Sequence, residues 1–216
     1  MRLYILWRCY TMPTTNKVKF NLKNVHYAKM TVNTQGVITY DTPVHIPGAV
    51  SLSLDPQGES SPFYADGIVY YRSTNNKGYS GTLEMALIPD SFRKDILQEV
   101  QDMNGVLVED ATEREQVHFA LLFEFDGDKT GVKHVMYNTT ANRTSIASST
   151  TEETITPVTE SLAVNCDPRE SDMLVKARTG DSTDDQTYNS WYSTVYVPAT
   201  SAATGGATTG GTTTGN

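Results

Sequence analysis

The hydrophobic positions of this chain recur mostly at every second residue. Val25–Val32 alternates and is rich in β-branched and aromatic side chains, and Gly36–Ile46 contains the phrases VITY and PVHI. Ala49–Leu54 reads AVSLSL, with Val50, Leu52 and Leu54 on one face. Gly67–Arg72 (GIVYYR) and Tyr79–Ile88 (YSGTLEMALI, with Leu83, Met85 and Leu87 alternating) continue the series. A period of two marks a half-buried strand. Turn formers separate the runs at Gln35-Gly36, Pro47-Gly48, Asp55-Pro56, Asp66-Gly67 and Asn75-Asn76-Lys77-Gly78, where the residue types supply the backbone angles of a reversal. Val117–Phe125 (VHFALLFEF) is the most apolar run, and Gly127–Gly131 turns it into Val132–Tyr137 (VKHVMY), which predicts a hairpin. Weaker strand signals follow at Thr154–Asn165, Met173–Ala177 and Trp191–Val197 (WYSTVYV).

One stretch carries a helical period instead. Phe92, Ile96, Val100 and Met103 fall on one stripe with Leu97 beside them, and Arg93, Lys94, Asp95, Gln98 and Glu99 cover the opposite side. Pro89 and Asp90 suit its first turn and Asn104-Gly105 its end, which predicts a helix over Pro89–Met103. The pattern adds up to roughly ten strands and one helix, an α+β chain that is mostly antiparallel β. Two loops are long for such a chain: Asp55–Asp66, with Phe63 and Tyr64 among turn formers, and the acidic Thr179–Tyr188, which reads as a solvated loop.

Composition divides the chain. Hydrophobic residues make up only 38% of it, but the shortfall is local. Ala199–Asn216 consists of Ala, Thr, Ser, Gly and Asn alone, which cannot anchor a core and predicts a disordered tail. Residues 1–11 contain a short apolar run, Leu3–Trp7, without the length or cleavage site of a signal peptide, and read as an N-terminal extension, either one that an upstream start codon would add or a short interaction arm. A domain over residues 12–198 is left between them. No run approaches the ~20 apolar residues of a membrane span. The formal charge of −8, without any basic block, argues against gripping nucleic acid by its phosphates. An acidic wall does suit a conduit that DNA must pass without sticking. Two cysteines, Cys9 and Cys166, lack metal spacing and fit folding in a reducing cytoplasm.

No catalytic constellation stands out. His26, His45, His118 and His134 have no metal-ligand spacing, and the last two sit inside alternating strands as packed or solvent-facing residues. Tyr79-Ser80-Gly81 lacks the nucleophile-elbow context, and no phosphate-binding glycine motif occurs. Glu152 and Glu153 are neighbours in a strand-like stretch and diverge, while Asp181, Asp184 and Asp185 lack the spacing of a calcium loop. Met85, Met103, Met136 and Met173 read as core residues. The expectation is a non-enzyme, with no catalytic, cofactor or metal site.

Four long phrases carry a resemblance: NVHYAKMTVNTQGVITY (Asn24–Tyr40), PVHIPGAVSLSLDPQGESSPFYADGIVYY (Pro43–Tyr71), GYSGTLEMALIPDSFRKDIL (Gly78–Leu97) and HFALLFEFDGDKTGVKHVMYN (His118–Asn138). In order and spacing over about Lys17–Val197 they resemble the phi13-type major tail protein family of long-tailed phages of Gram-positive bacteria. The resemblance implies the phage tail-tube fold, two antiparallel sheets forming a β-sandwich or half-barrel with one flanking helix. It implies a virion structural protein, made in the host bacterial cytoplasm, whose hexameric rings stack into the tail tube. Its partners would be further copies of itself, a tape-measure protein, and baseplate or distal-tail and tail-terminator proteins. DNA would pass through the lumen unbound, and no cofactor or membrane is involved. The N-terminal extension and the Thr/Gly-rich tail depart from the family pattern.

Within that reading, Glu59, Ser61, Pro62, Phe63 and Tyr64 are the expected contacts between subunits or rings, since aromatic residues favour interface cores. The alternative for Phe63 and Tyr64 is that they fold back on their own sheet. Two other functions compete: a capsid decoration or connector protein, and a host-adhesion, carbohydrate-binding module. The aromatic segment Tyr188–Tyr196 suggests the second, although as a strand it would split Trp191 and Val195 from Tyr192 and Tyr196.

Overall fold

The computed structural model describes residues 15–112, 114–148, 150 and 157–198. The N-terminal extension, Cys9, Glu152-Glu153 and the Thr/Gly-rich tail therefore lie outside the described residues. In chain order the elements are β1 (Lys19–Val32), β2 (Ile38–Tyr40), β3 (Val44–His45), β4 (Ala49–Gln57), β5 (Ser60–Ala65), β6 (Ile68–Thr74) and β7 (Gly78–Met85). Then come α1 (Asp90–Asp95), β8 (Val100–Gln101), β9 (Leu107–Val108), β10 (Phe119–Gly127), β11 (Val132–Ala141), β12 (Glu160–Asp167), β13 (Lys176–Arg178) and α2 (Asp185–Ser190).

Nine of these strands form one antiparallel sheet in the order β2-β1-β10-β11-β12-β7-β4, with β3 added to β1 and β13 to β11. Two separate two-stranded sheets, β5–β6 and β8–β9, stand outside it. The expected pair of large sheets is thus a single hydrogen-bonded sheet bent over on itself, and it does not close into a barrel. The bend runs through β11, which forks: His134–Met136 pair with β13 and Asn138–Ala141 with β12. Past the fork, β7 and β12 swing across so that Leu83, Met85, Leu162, Val164 and Cys166 meet Tyr27, Phe119, Leu121 and Met136 in one core.

The central strands are buried on both faces, which explains the unbroken FALLF of β10. One face supplies Tyr27, Phe119, Leu121 and Phe123 to the main core. There α1 caps the bend by inserting Phe92, whose ring stands edge-on to Tyr27 (5.1 Å) and Phe119 (5.6 Å). The other face, with Ala28, Ala120, Leu122, Val135 and Tyr137, is covered by Trp191 at the end of α2. Polar tethers fasten that cover: Lys133 Nζ donates to Tyr188 O at 2.7 Å, and Tyr192 Oη to Glu124 Oε2 at 3.2 Å. The β10–β11 turn is secured by Asn16, whose Oδ1 accepts from Lys129 N (2.9 Å) and Thr130 N (3.0 Å).

Several expectations are corrected. The helix predicted to reach Met103 stops at Asp95, and Gln98 turns the chain left-handed at φ 61°. Val100 then pairs with Val108, and Asp102 Oδ1 accepts from Asn104 N (2.9 Å) and Val106 N (2.8 Å). Asn104-Gly105 is accordingly a hairpin turn rather than a helix stop, because the Asp102 side chain competes for backbone amides. Trp191–Val197 forms no strand. A short helix precedes it, capped by Asp184 Oδ1 accepting from Thr187 N at 2.9 Å, so the acidic segment is partly helical. Met85 and Met136 are core residues, but Met103 and Met173 are exposed. Leu87 lies past the end of β7 and is exposed. Val50 leaves the face of Leu52 and Leu54 because a register shift falls between Ala49 and Ser51.

Candidate assembly interface

The β4–β7 pairing runs from Ala49↔Met85 to Gln57↔Gly78, and the β5–β6 pairing resumes at Ser60↔Thr74 and ends at Ala65↔Ile68. The two are halves of one long antiparallel ribbon with a break in the middle. Hydrogen bonds carry across the break: Asn75 N donates to Glu59 O (3.1 Å), Lys77 N to Gln57 O (2.9 Å) and Glu59 N to Asn75 Oδ1 (2.6 Å). Gly58 makes the break possible, since a Cβ there would lie 2.2 Å from Asn75 O. At the tip, Asp66 (φ 51°) and Gly67 (φ 76°) take the left-handed pair of angles that a two-residue hairpin turn requires.

Only the inner half of the ribbon has a core beneath it. Leu83 and Met85 are buried, whereas no residue of β5 or β6 is. The region read from sequence as a loop is therefore strand, and it does not fold back on its own sheet. Phe63 is 61% exposed and Tyr64 63%, side by side at a bulge. Across from them stand Tyr71 (opposite Phe63) and Val69 (opposite Tyr64), both exposed. Ser61 is exposed opposite Ser73, and Pro62 is half-buried opposite Arg72. Glu59 sits at the break and pairs with Lys77 at 3.4 Å in the open, where ion pairs contribute little. The structure thus gathers all five candidates on β5 and its base.

An isolated two-stranded hairpin is marginal in water, and large contiguous apolar surface on a monomer marks an interaction site. The ribbon's outer half combines the two. Its second strand, foreseen as a strand but not as a contact surface, holds Ile68, Tyr70 and Tyr71, each exposed by more than half. A signal was present: IVYY is an apolar run without alternation, which no half-buried strand needs. A second exposed hairpin, β8–β9, was hidden by the helical period. It presents Val100, Met103 and Val106, all exposed.

The remaining chemistry-bearing groups are engaged in packing. Burial pushes the Cys166 thiol up to about 11, so it stays protonated at neutral pH. His134 lies flat on Phe123 with ring centroids 5.0 Å apart, and burial together with Arg178, Lys176 and Lys19 lowers its pKa to about 4. His118 Nδ1 is 2.6 Å from Asn138 Oδ1, and His26 stacks on Tyr192 with the tilted His45 ring beside it. The aromatic segment considered for sugar binding is largely committed inward. Trp191 is 2% exposed and stacks on Tyr196 at 5.4 Å. Among the described residues, no three His, Cys, Asp or Glu side chains converge on a common point. Compared with known proteins, the chain matches no family model and no curated sequence.

Proposed function

We propose that this chain is a structural subunit that assembles with copies of itself into stacked hexameric rings, forming the tail tube of a long-tailed phage through which DNA leaves. The observation that carries the reading is the outer half of the β4–β7 ribbon, a two-stranded sheet with aromatic side chains exposed and no core of its own. Such an element gains stability by docking on another molecule. A ribbon that docks on a different surface of the next copy makes a heterologous contact, which closes into rings or repeats as filaments. The bent antiparallel sheet capped by a helix agrees in outline with the tail-tube fold that the resemblance of Asn24–Tyr40, Pro43–Tyr71, Gly78–Leu97 and His118–Asn138 implies. The net charge of −8 suits a wall that repels phosphate.

Further expectations belong to the same reading: a tape-measure protein inside the tube, baseplate and terminator proteins at its ends, and a virion location. Negative-stain electron microscopy of the full chain, at several concentrations after sizing by light scattering, tests it. Hollow tubes or six-fold rings with an open centre support the assignment. A compact trimer or other closed oligomer overturns it in favour of a decoration or adhesion protein.

A further inference from the structure

The bent sheet leaves one mouth open. A cleft of about 200 Å³ lies there, floored by Leu54, Phe123, Phe125 and Met136 and rimmed by Lys19 and Lys176. The rim is positive in a chain whose net charge is −8. Lys19 Nζ sits 5.1 Å from the Phe125 ring centroid, Lys176 Nζ donates to Tyr79 Oη at 2.6 Å, and Arg178 is the cross-strand partner of His134. None of the three cations forms an ion pair with a carboxylate among the described residues. An apolar floor under unneutralised lysines selects an apolar group that carries a negative charge beside it.

The ribbon tip has that composition. Tyr64 is exposed, and Asp66 follows it at the turn. An apolar cavity of about 150 Å³ holds one benzene molecule, so the cleft has room for a single aromatic ring. In its own chain the tip stands clear of the cleft, since Tyr64 remains 63% exposed. We propose that the cleft receives the β5–β6 tip of a second copy of this chain, with the Tyr64 ring on the apolar floor and the Asp66 carboxylate at Lys19 and Lys176. This rests on the self-assembling reading and names the surface that the ribbon meets.

Mixing two single-cysteine proteins tests it, one carrying Leu54→Cys and the other Tyr64→Cys, both with Cys9→Ser and Cys166→Ala. Each is first checked for native circular dichroism. Under mild oxidation the mixture is expected to give a disulfide-linked heterodimer that neither protein gives alone. Lys176→Glu is expected to raise the concentration for half-assembly about tenfold or more, and Asp66→Asn, which keeps a turn-compatible residue, to raise it similarly. Rings or tubes that form without the mixed disulfide, and with Lys176→Glu assembling as the parent does, overturn the cleft and leave the tube reading standing. A mixed disulfide found only in a closed dimer upholds the cleft and overturns the tube. A parent protein that forms no rings or tubes, together with no mixed disulfide between the variants, overturns both.

Discussion

The inner and outer halves of the ribbon are both antiparallel strand pairs rich in apolar side chains, yet only the inner half sends any of them into a core. Leu83 and Met85 of the inner half are at most 1% exposed, while Phe63, Tyr64 and Tyr71 of the outer half exceed 60%. What differs is the neighbour. The inner half lies against β12 and faces the core that Phe92 closes, and the outer half has passed the edge of the sheet. Apolar side chains in a strand thus report that a surface will be covered, and the fold decides whether the cover is the same chain.

If that contrast is sound, the largest effect comes from the inner side. Phe92→Ala is expected to lower unfolding free energy by about 3–5 kcal/mol, because it removes a fully buried ring and leaves a cavity. Urea denaturation measures it, and a loss under 1 kcal/mol would dissolve the distinction. Acidification comes next. With the folded pKa of His134 depressed to about 4 from 6.5, its contribution is fully present above pH 6.5 and is lost as pH falls through 4. After discounting for partial exposure the loss is roughly 1–2 kcal/mol. The parent should show a steeper fall in stability over that window than His134→Gln does, and equal slopes would remove His134 from the account. Asp184→Ala removes the cap of α2 and should cost about 1 kcal/mol. It should also speed amide exchange in the Trp191 segment before the β10–β11 hairpin responds. Smallest is Tyr64→Ser, expected to change monomer stability by less than about 0.5 kcal/mol while weakening assembly. Limited proteolysis sharpens the same contrast: cuts in the free monomer should fall within Ser60–Thr74 and disappear on assembly.

The sequence made some of this legible and concealed the rest for physical reasons. The β10–β11 hairpin was readable because two apolar runs flank a Gly-Asp-Lys-Thr-Gly turn, so pattern and turn chemistry agree. The α1 stripe was half right. Phe92 and Ile96 do face the core, but Val100 and Met103 extend the same spacing into a hairpin, because a period of about four over four residues cannot exclude strand. The Trp191 segment alternates like a strand but lies across the sheet, held by Lys133, Glu124 and its own stacking on Tyr196. Lys133 and Glu124 are more than fifty residues away from the groups they hold, where local pattern carries no information. The candidate contacts Glu59, Ser61, Pro62, Phe63 and Tyr64 were found through their aromatic pair. Tyr70 and Tyr71 on the opposing strand read as strand alone, since exposure cannot be read from one strand at a time. The Lys19–Lys176 rim was invisible because strand order, not sequence distance, brings it together.

The ribbon's root also fixes how the molecule bears load. A pull on the tip, directed away from the body, drags β4 and β7 in the same direction. β7 must then slide along β12, to which it is joined by register pairs from Glu160↔Met85 through Cys166↔Tyr79. Those bonds are strained together, in shear, rather than peeled one after another. A tip built from a marginal hairpin is consequently anchored by a joint that resists tension along the axis on which the ribbon extends, while a sideways push is borne at the break, by the few hydrogen bonds around Gly58 and Asn75.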